Sequence, residues 1–326
     1  MNKLRKHFSI IAFILLTVAV LVVFSVVSRQ FMTTGNMLKA FKHLSITAIS
    51  ALGLTFVVAV GHNDMSFHYF SCFSAMTMSW FIGMGFHPVP AIVLGLLPAV
   101  ILGSVNGVAI GRFKLPDMIV TIGLGSAVYG MAYIYSGGSY IYKNFLDSGI
   151  MELNNAVVLG IPLPVIFLIL LYFSAWVLLH RSVHGRRFYA IGSNKTAALF
   201  SAIPVRRYII LAFIICAVLS SFTNMIQTAS VGKGFLKSGL ILLMPSWAAV
   251  FVGISVFKKP TVHGTFLGAF LISIMQNGFT MLAVPFYYMD FVIGLVLIFS
   301  IIISGIQVSP GTKRKSDIKG GRTHAA

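Results

Sequence analysis

Acidic residues are nearly absent from this sequence. Six occur in 326 positions against 24 Lys and Arg, and charged residues of both signs make up only 9%. A water-soluble domain carries about 25%, so this chain lacks the polar residues to coat a surface facing water. Cysteine is scarce as well. Cys72 and Cys216 both fall inside apolar runs, which excludes a disulfide framework and a cysteine metal centre. A catalytic constellation is also missing. No Ser/His/Asp set is recognisable, and His180 and His184, four apart, lack a third ligand or the glutamate of an HExxH helix. Gly192-Ser193-Asn194-Lys195-Thr196 resembles the tail of a phosphate-binding loop without its Gly-Lys pair or upstream glycine. The chain is therefore expected to bind no metal, cofactor or ATP of its own.

What the sequence does have is apolar length. Hydrophobic residues make up 58%, and the mean hydropathy is +0.94. A helix crosses roughly 30 Å of hydrocarbon with about 20 residues. On that ruler about ten spans are expected, near 8–27, 43–61, 66–86, 89–111, 118–136, 161–180, 207–229, 240–257, 262–283 and 286–306. The first resembles a signal peptide, but its apolar run is too long for an h-region and no small-residue cleavage site clearly follows. It is read as a retained span. The expected fold class is an all-α, polytopic integral membrane protein of a bacterial-type inner membrane, with residues 1–326 forming one transmembrane domain.

The net charge of +18 does not indicate nucleic acid, because the basic residues sit in short gaps between apolar runs rather than in an aromatic-interleaved patch. With the N-terminus inside, only Arg29, Lys39, Lys42, Lys143, Lys233 and Lys237 of the 24 cations fall outside. That three-to-one bias predicts both termini in the cytoplasm, including a basic tail over 307–326. Two connections are long. Residues 137–160, with Asp147 and Glu152, are expected outside. Residues 181–206 are expected as a cytoplasmic loop, in which Ser193-Asn194 caps a short helix that Pro204 ends.

Ionisable and amide groups within spans are expensive and default to functional candidates. Asp64 interrupts the second and third spans in Gly61-His62-Asn63-Asp64-Met65-Ser66, where it is expected to cap the third helix, a role that does not exclude one on a solute pathway. Asp117, beside Arg112 and Lys114, and Asp290 are expected as interfacial charges, and Asp317 lies in the tail. Asn106, Asn224, Gln227, Gln276 and Asn277 are expected to form interhelical hydrogen bonds. Gly103, Gly107 and Gly111, like Gly264 and Gly268, recur every fourth residue and mark packing seams. Asn106-Gly107 and Asn277-Gly278 lie five spans apart, an odd number that suggests an inverted repeat of two five-span halves.

Several segments together resemble a known family. Gly185-Arg186, Ala190-Ile191-Gly192, Asn194, Ala197-Ala198, Ser201-Ala202-Ile203 and Val205 are similar to the coupling loop of ribose/galactose/autoinducer-2-type ABC transporter permeases. So are Gly103-x-x-Asn106-Gly107 with Pro116, Ile119, Thr121, Gly123, Gly130 and Ser136-Gly137, and Gly264-Thr265, Gly268-Ala269, Asn277-Gly278 and Tyr287-Tyr288. The resemblance spans most of the chain in order. It implies a permease that moves a sugar-like solute by alternating access, delivered by an external solute-binding protein. It also implies a second permease copy or a paralogous one in the membrane lipid, and cytosolic ATP-binding cassette subunits that hold ATP and Mg.

Under that resemblance the coupling residues are Gly185, Gly192, Asn194, Ala197, Ala198, Ser201 and Ile203. The candidate substrate pathway is Asp64, Ser66, Asn106, Gln276, Asn277 and Tyr288. Two departures stand out: a glycine of the family's Gly-Gly-x-Asp-Leu-Ser has become His62, and a glycine-rich turn after the eighth span reads Gly253-Ile254-Ser255-Val256-Phe257-Lys258-Lys259-Pro260. An ion-coupled secondary transporter and a non-transporting membrane scaffold are the alternatives.

Overall fold

The computed structural model describes the backbone of residues 2–308 and the side chains of residues 10–303. Every expected span coincides with a helix: α1 (Asn2–Val27), α2 (Thr34–Ala59), α3 (Phe67–Gly83), α4 (Pro88–Gly111) and α5 (Asp117–Ser136) come first. A short α6 (Glu152–Asn155) precedes α7 (Leu163–Trp176), which a π-helical turn, Val177–Arg181, extends. Then follow α8 (Val183–Ser193), α9 (Lys195–Phe200), α10 (Val205–Val231), α11 (Leu240–Phe257), α12 (Val262–Met281) and α13 (Phe286–Val308). Eight of these stretches are long and apolar enough to cross a membrane, α7 counting together with its π turn. The 17-residue α3 and the 20-residue α12 are not among the eight. Both are packed inside the bundle, where His68, Ser71, Ser74 and Ser79 of α3 and Asn277 of α12 are buried against protein. A helix shielded from lipid by its neighbours has no need of a uniformly apolar surface.

Helix α2 begins well before the span expected from residue 43, because Asn36, Lys39 and Lys42 dilute its first turns below a hydropathy threshold. Proline sets several starts: Pro88 occupies the first turn of α4, and Pro116 and Pro285 immediately precede α5 and α13. Helices α2 and α10 pack on each other at the centre. From the first half, α3 and α4 pack on α10; from the second, α11 and α12 pack on α2. Likewise α5 rests on α3 as α13 rests on α11. These pairings correspond between the halves, whereas α7 packs on α2 and α12 and α1 packs on α11 and α12.

The glycine stripes are the seams of this packing. A methyl group at Gly107 would lie 2.6 Å from the Ile210 Cα, and one at Gly103 would lie 2.9 Å from the Ile214 Cα, both on α10. Gly264 and Gly268 meet Gly253 and Ala249 of α11 in the same way.

Two connections are more ordered than expected. Residues 181–206 hold two helices rather than one. Ser182 caps α8 by accepting from the Gly185 N–H at 3.2 Å, and Gly185, Phe188 and Ile191 form its buried stripe. The expected α9 follows, capped by Asn194 and ended before Pro204. The α8 stripe is short and rich in arginine, so it read as loop. Residues 137–160 carry α6 and a two-stranded hairpin, Val157–Val158 with Ile161–Pro162, and bury Phe145 and Ile150. The basic tail expected over 307–326 lies outside the described residues from 309 onward.

Candidate solute cavity and coupling face

A cavity of about 130 Å³ lies where α2, α10, α11, α12 and α13 meet. Its polar lining is His43, Thr47, Gln227, Ser246, Gln276, Asn277 and Thr280, with no carboxylate among its walls. The neighbouring amides are tightly organised. Asn36 Nδ2 donates to Asn277 Oδ1 at 2.9 Å, and Asn277 Nδ2 donates to Asn36 Oδ1 at 3.1 Å. Thr47 donates to Gln276 Oε1 at 3.5 Å, and Ser246 donates to the Ser50 hydroxyl at 2.9 Å. Of the six pathway candidates only Gln276 and Asn277 line this cavity. Tyr288 stands exposed on the first turn of α13 with its ring 4.7 Å from that of Tyr287. Asn36, His43, Thr47, Ser246 and Thr280 went unremarked in the sequence. Their signal was spacing: Asn36, His43 and Thr47 fall at intervals of seven and four, one face of a helix, but the span was started at residue 43.

Asp64, Ser66 and Asn106 form a separate and sealed cluster. All three are fully buried. The Asp64 carboxylate accepts from both the backbone N–H and the hydroxyl of Ser66, and Asn106 Nδ2 donates to the Ser66 hydroxyl at 2.7 Å. Asp64 thus holds Ser66, the residue that precedes α3, while Ser66 ties that end of the helix to α4. Burial raises the Asp64 pKa above the usual carboxylate value, against the hydrogen bonds from Ser66 that lower it.

Asp117 stands at the start of the α5 span, as an interfacial charge would, but its partners are not Arg112 and Lys114. Its Oδ2 accepts from the Asn63 N–H at 2.8 Å and lies 3.2 Å from His62 Nδ1, the one ion pair among the described residues. Met65 N–H donates to Thr121 Oγ1 at 3.2 Å, so α5 is fastened to the α2–α3 break at two points. The His62 pKa is lowered by burial and by Lys195, while Asp117 opposes both. Substituting glycine by His62 carries no backbone strain, because Gly61 takes the left-handed angle at φ 79°. Lys258, by contrast, sits at φ 64° as the C-cap of α11, a conformation glycine adopts freely.

The end of α2 remote from the cavity meets the α8–α9 segment. A side chain at Gly192 would strike the Ala59 carbonyl, and one at Gly185 would strike the Leu179 carbonyl of the π turn. Both glycines therefore seat the segment against the bundle. Asn194 Oδ1 accepts from the Ala197 N–H at 2.9 Å, capping α9. Ala198 is buried beneath α9, Ile203 is half-buried, and Ala197, Leu199, Phe200 and Ser201 are exposed. Close to this face, His184 Nδ1 is 2.9 Å from the Tyr208 hydroxyl, so it is engaged in a polar contact rather than paired with His180.

Comparison with known proteins places this arrangement. A family profile described as "Branched-chain amino acid transport system / permease component" matches residues 36–301. The Bacillus subtilis ribose import permease protein RbsC is 30% identical over 86% of this chain and 88% of its own length. The Escherichia coli D-allose transport system permease protein AlsC is 28% identical over 88% of both. The autoinducer 2 import system permease protein LsrD of Salmonella paratyphi A is 28% identical over 95% of this chain and 94% of its own length. No solved structure matches the chain. With a buried polar cavity at one end of a multi-pass bundle and a short-helix segment seated at the other, the chain belongs to this family of membrane permease components: it is a transport subunit and not an enzyme.

Proposed function

We propose that the chain is the permease of an ATP-driven importer for a neutral, polyhydroxylated solute: a pentose, a hexose or a related furanose. The observation that carries this is the chemistry of the cavity. Its walls offer amides, hydroxyls and one imidazole, with neither a carboxylate nor a Lys or Arg. An amino acid, the solute in the family's description, presents a carboxylate and an ammonium that require charged partners once desolvated. A sugar presents hydroxyls, which Gln227, Gln276, Ser246 and Thr280 are equipped to bind. The names of the relatives, which refer to ribose, allose and autoinducer 2, support the same reading.

In this reading an extracytoplasmic binding protein delivers the solute to the cavity end. Cytosolic ATP-binding cassette subunits, holding ATP and Mg, dock on α9 at the other end, and a second permease copy or a paralogue completes the assembly. Both termini are cytoplasmic, with Asn194, Ala197 and Ser201 on the exposed coupling face and Gly185, Gly192, Ala198 and Ile203 holding that face against the bundle. Asp64, Ser66 and Asn106 hold the α2–α3 break rather than touch solute.

Reconstitution with the ATPase and binding protein in proteoliposomes tests this directly. Uptake of labelled ribose or allose should require ATP hydrolysis, and Ala197→Asp, on the exposed side of α9, should abolish it while leaving membrane insertion intact. Uptake that survives an inactive ATPase and collapses with the proton gradient would establish an ion-coupled transporter instead.

A further inference from the structure

A second groove, of about 410 Å³, runs between α7 and α12 on the outside of the bundle. Phe173, Trp176, Phe266 and Leu267 wall it, and His263 stands at one end. The Tyr172 hydroxyl, also at the wall, is occupied with the Ala48 carbonyl at 2.9 Å, so the groove offers an apolar and aromatic surface. At the His263 end the chemistry changes abruptly. The His180 ring lies 5.2 Å from that of His263 and 6.2 Å from that of Tyr189. The Lys259 ammonium is 5.6 Å from the Tyr189 ring centre, and the Arg181 guanidinium is 4.9 Å from the Trp176 ring centre.

No acid balances these groups: the one ion pair among the described residues is His62–Asp117, elsewhere in the protein. Both ring nitrogens of His180 and the Tyr189 hydroxyl are buried without a hydrogen-bond partner. Orphaned polar atoms of this kind are costly, and here three of them sit beside two cations.

The site joins an apolar slot to a cationic, hydrogen-bonding head, and an amphiphile with an anionic end has the same two parts. Its position agrees. The candidate span that includes α7 ends at Arg181, and the span of α11 ends at Phe257, two residues before Lys259. Both cations therefore lie at the level of lipid headgroups, with Trp176 and Tyr189 as interfacial aromatics. The π-helical turn that carries His180 and Arg181 is itself a rare feature that concentrates at functional sites.

We propose that this groove binds an acidic phospholipid, its phosphate held by Lys259, Arg181 and His180 and its acyl chain laid along Trp176, Phe266 and Leu267. Basic pockets between transmembrane helices hold anionic headgroups in this manner. Free phosphate would use only the cationic end, and a zwitterionic lipid would bring an ammonium that Lys259 and Arg181 repel. Bound lipid would brace the π turn against α12. Because Gly185 seats α8 on the Leu179 carbonyl of that same turn, the brace extends to the α8–α9 segment.

The test is made on the purified full-length chain in detergent, by native mass spectrometry and thermal unfolding, with added phosphatidylglycerol, phosphatidylcholine or inorganic phosphate. Phosphatidylglycerol should remain bound and raise the unfolding temperature, while phosphatidylcholine and inorganic phosphate should do neither. The Arg181→Gln/Lys259→Gln double variant should bind phosphatidylglycerol about tenfold more weakly, and Leu267→Trp, which fills the slot, should also weaken it. A Lys233→Gln/Lys237→Gln variant, with the same loss of charge elsewhere, should bind as the parent does. Unchanged retention in the first two variants would overturn the site. So would equal protection by inorganic phosphate, or equal loss in the charge control. None of these outcomes bears on the solute reading, since lipid retention is measured without transport.

Discussion

Asn106-Gly107 and Asn277-Gly278 occupy matching places near the C-terminal ends of α4 and α12, yet their surroundings have opposite characters. In both pairs the glycine is pressed against a neighbouring element, Ile210 of α10 for Gly107 and the Phe24 ring of α1 for Gly278. The asparagines part company. Asn106 is buried in a closed chain with Ser66 and Asp64 that holds the α2–α3 break to α4. Asn277 exchanges both its amide hydrogen bonds with Asn36 and borders a polar cavity. The same dipeptide closes one end of the bundle and furnishes the other. The packing seam recurs at both dipeptides, while the partner that each amide meets differs.

The glycines provide the severest way to break this comparison. Gly107→Leu would drive a side chain into the α10 backbone, and Gly268→Leu would drive one into the Ala249 carbonyl. Overpacking of this kind costs about 3 kcal/mol or more where backbone must move. Both variants should be nearly lost from the membrane fraction, as measured by fluorescence-detected size exclusion.

The asparagines then separate the two ends. Asn106→Ala should lower stability by about 1–2 kcal/mol, seen as a reduced unfolding temperature, with the apparent KM for the solute unchanged. Gln276→Ala should do the reverse: a KM raised about tenfold, the worth of roughly 1.4 kcal/mol, and little change in unfolding temperature. A shifted solute preference in Asn106→Ala would erase the distinction between a sealed and an open end.

The smallest expected effect sharpens the sealed end alone. The His62 pKa is lowered in the folded protein, so below its ordinary value of 6.5 the unfolded chain binds a proton more readily than the folded one. Stability should therefore fall as pH drops through 6.5 and level off once it passes below the folded value. His62→Gly should lessen that dependence without abolishing it, as measured by unfolding at pH 5.5 and 7.5. A steeper loss of stability on acidification in His62→Gly would place the titration elsewhere.

Much of this was legible beforehand. The spans were visible because a helix in lipid must be apolar over its whole length, and the glycine seams because close backbone approach demands their spacing. The cap at Asn194 and the stop at Pro204 were local signals and held. What escaped notice depended on contacts between distant residues. Arg112 and Lys114 are near Asp117 in sequence, whereas its partners His62 and Asn63 arrive from the α2–α3 break. Ser66 and Gln276 looked alike as polar residues in or beside spans, and only packing placed one in a sealed cluster and the other on a cavity wall.

The sequence by itself determined that this chain lives in a membrane, which stretches cross it, and which family it resembles. These follow from composition and local spacing, which hydrocarbon constrains residue by residue. Tertiary structure decided what each buried polar group does. In a bundle whose helices are nearly all apolar, a hydroxyl or amide takes its role from the partner that packing brings to it, and those partners lie up to 241 residues away.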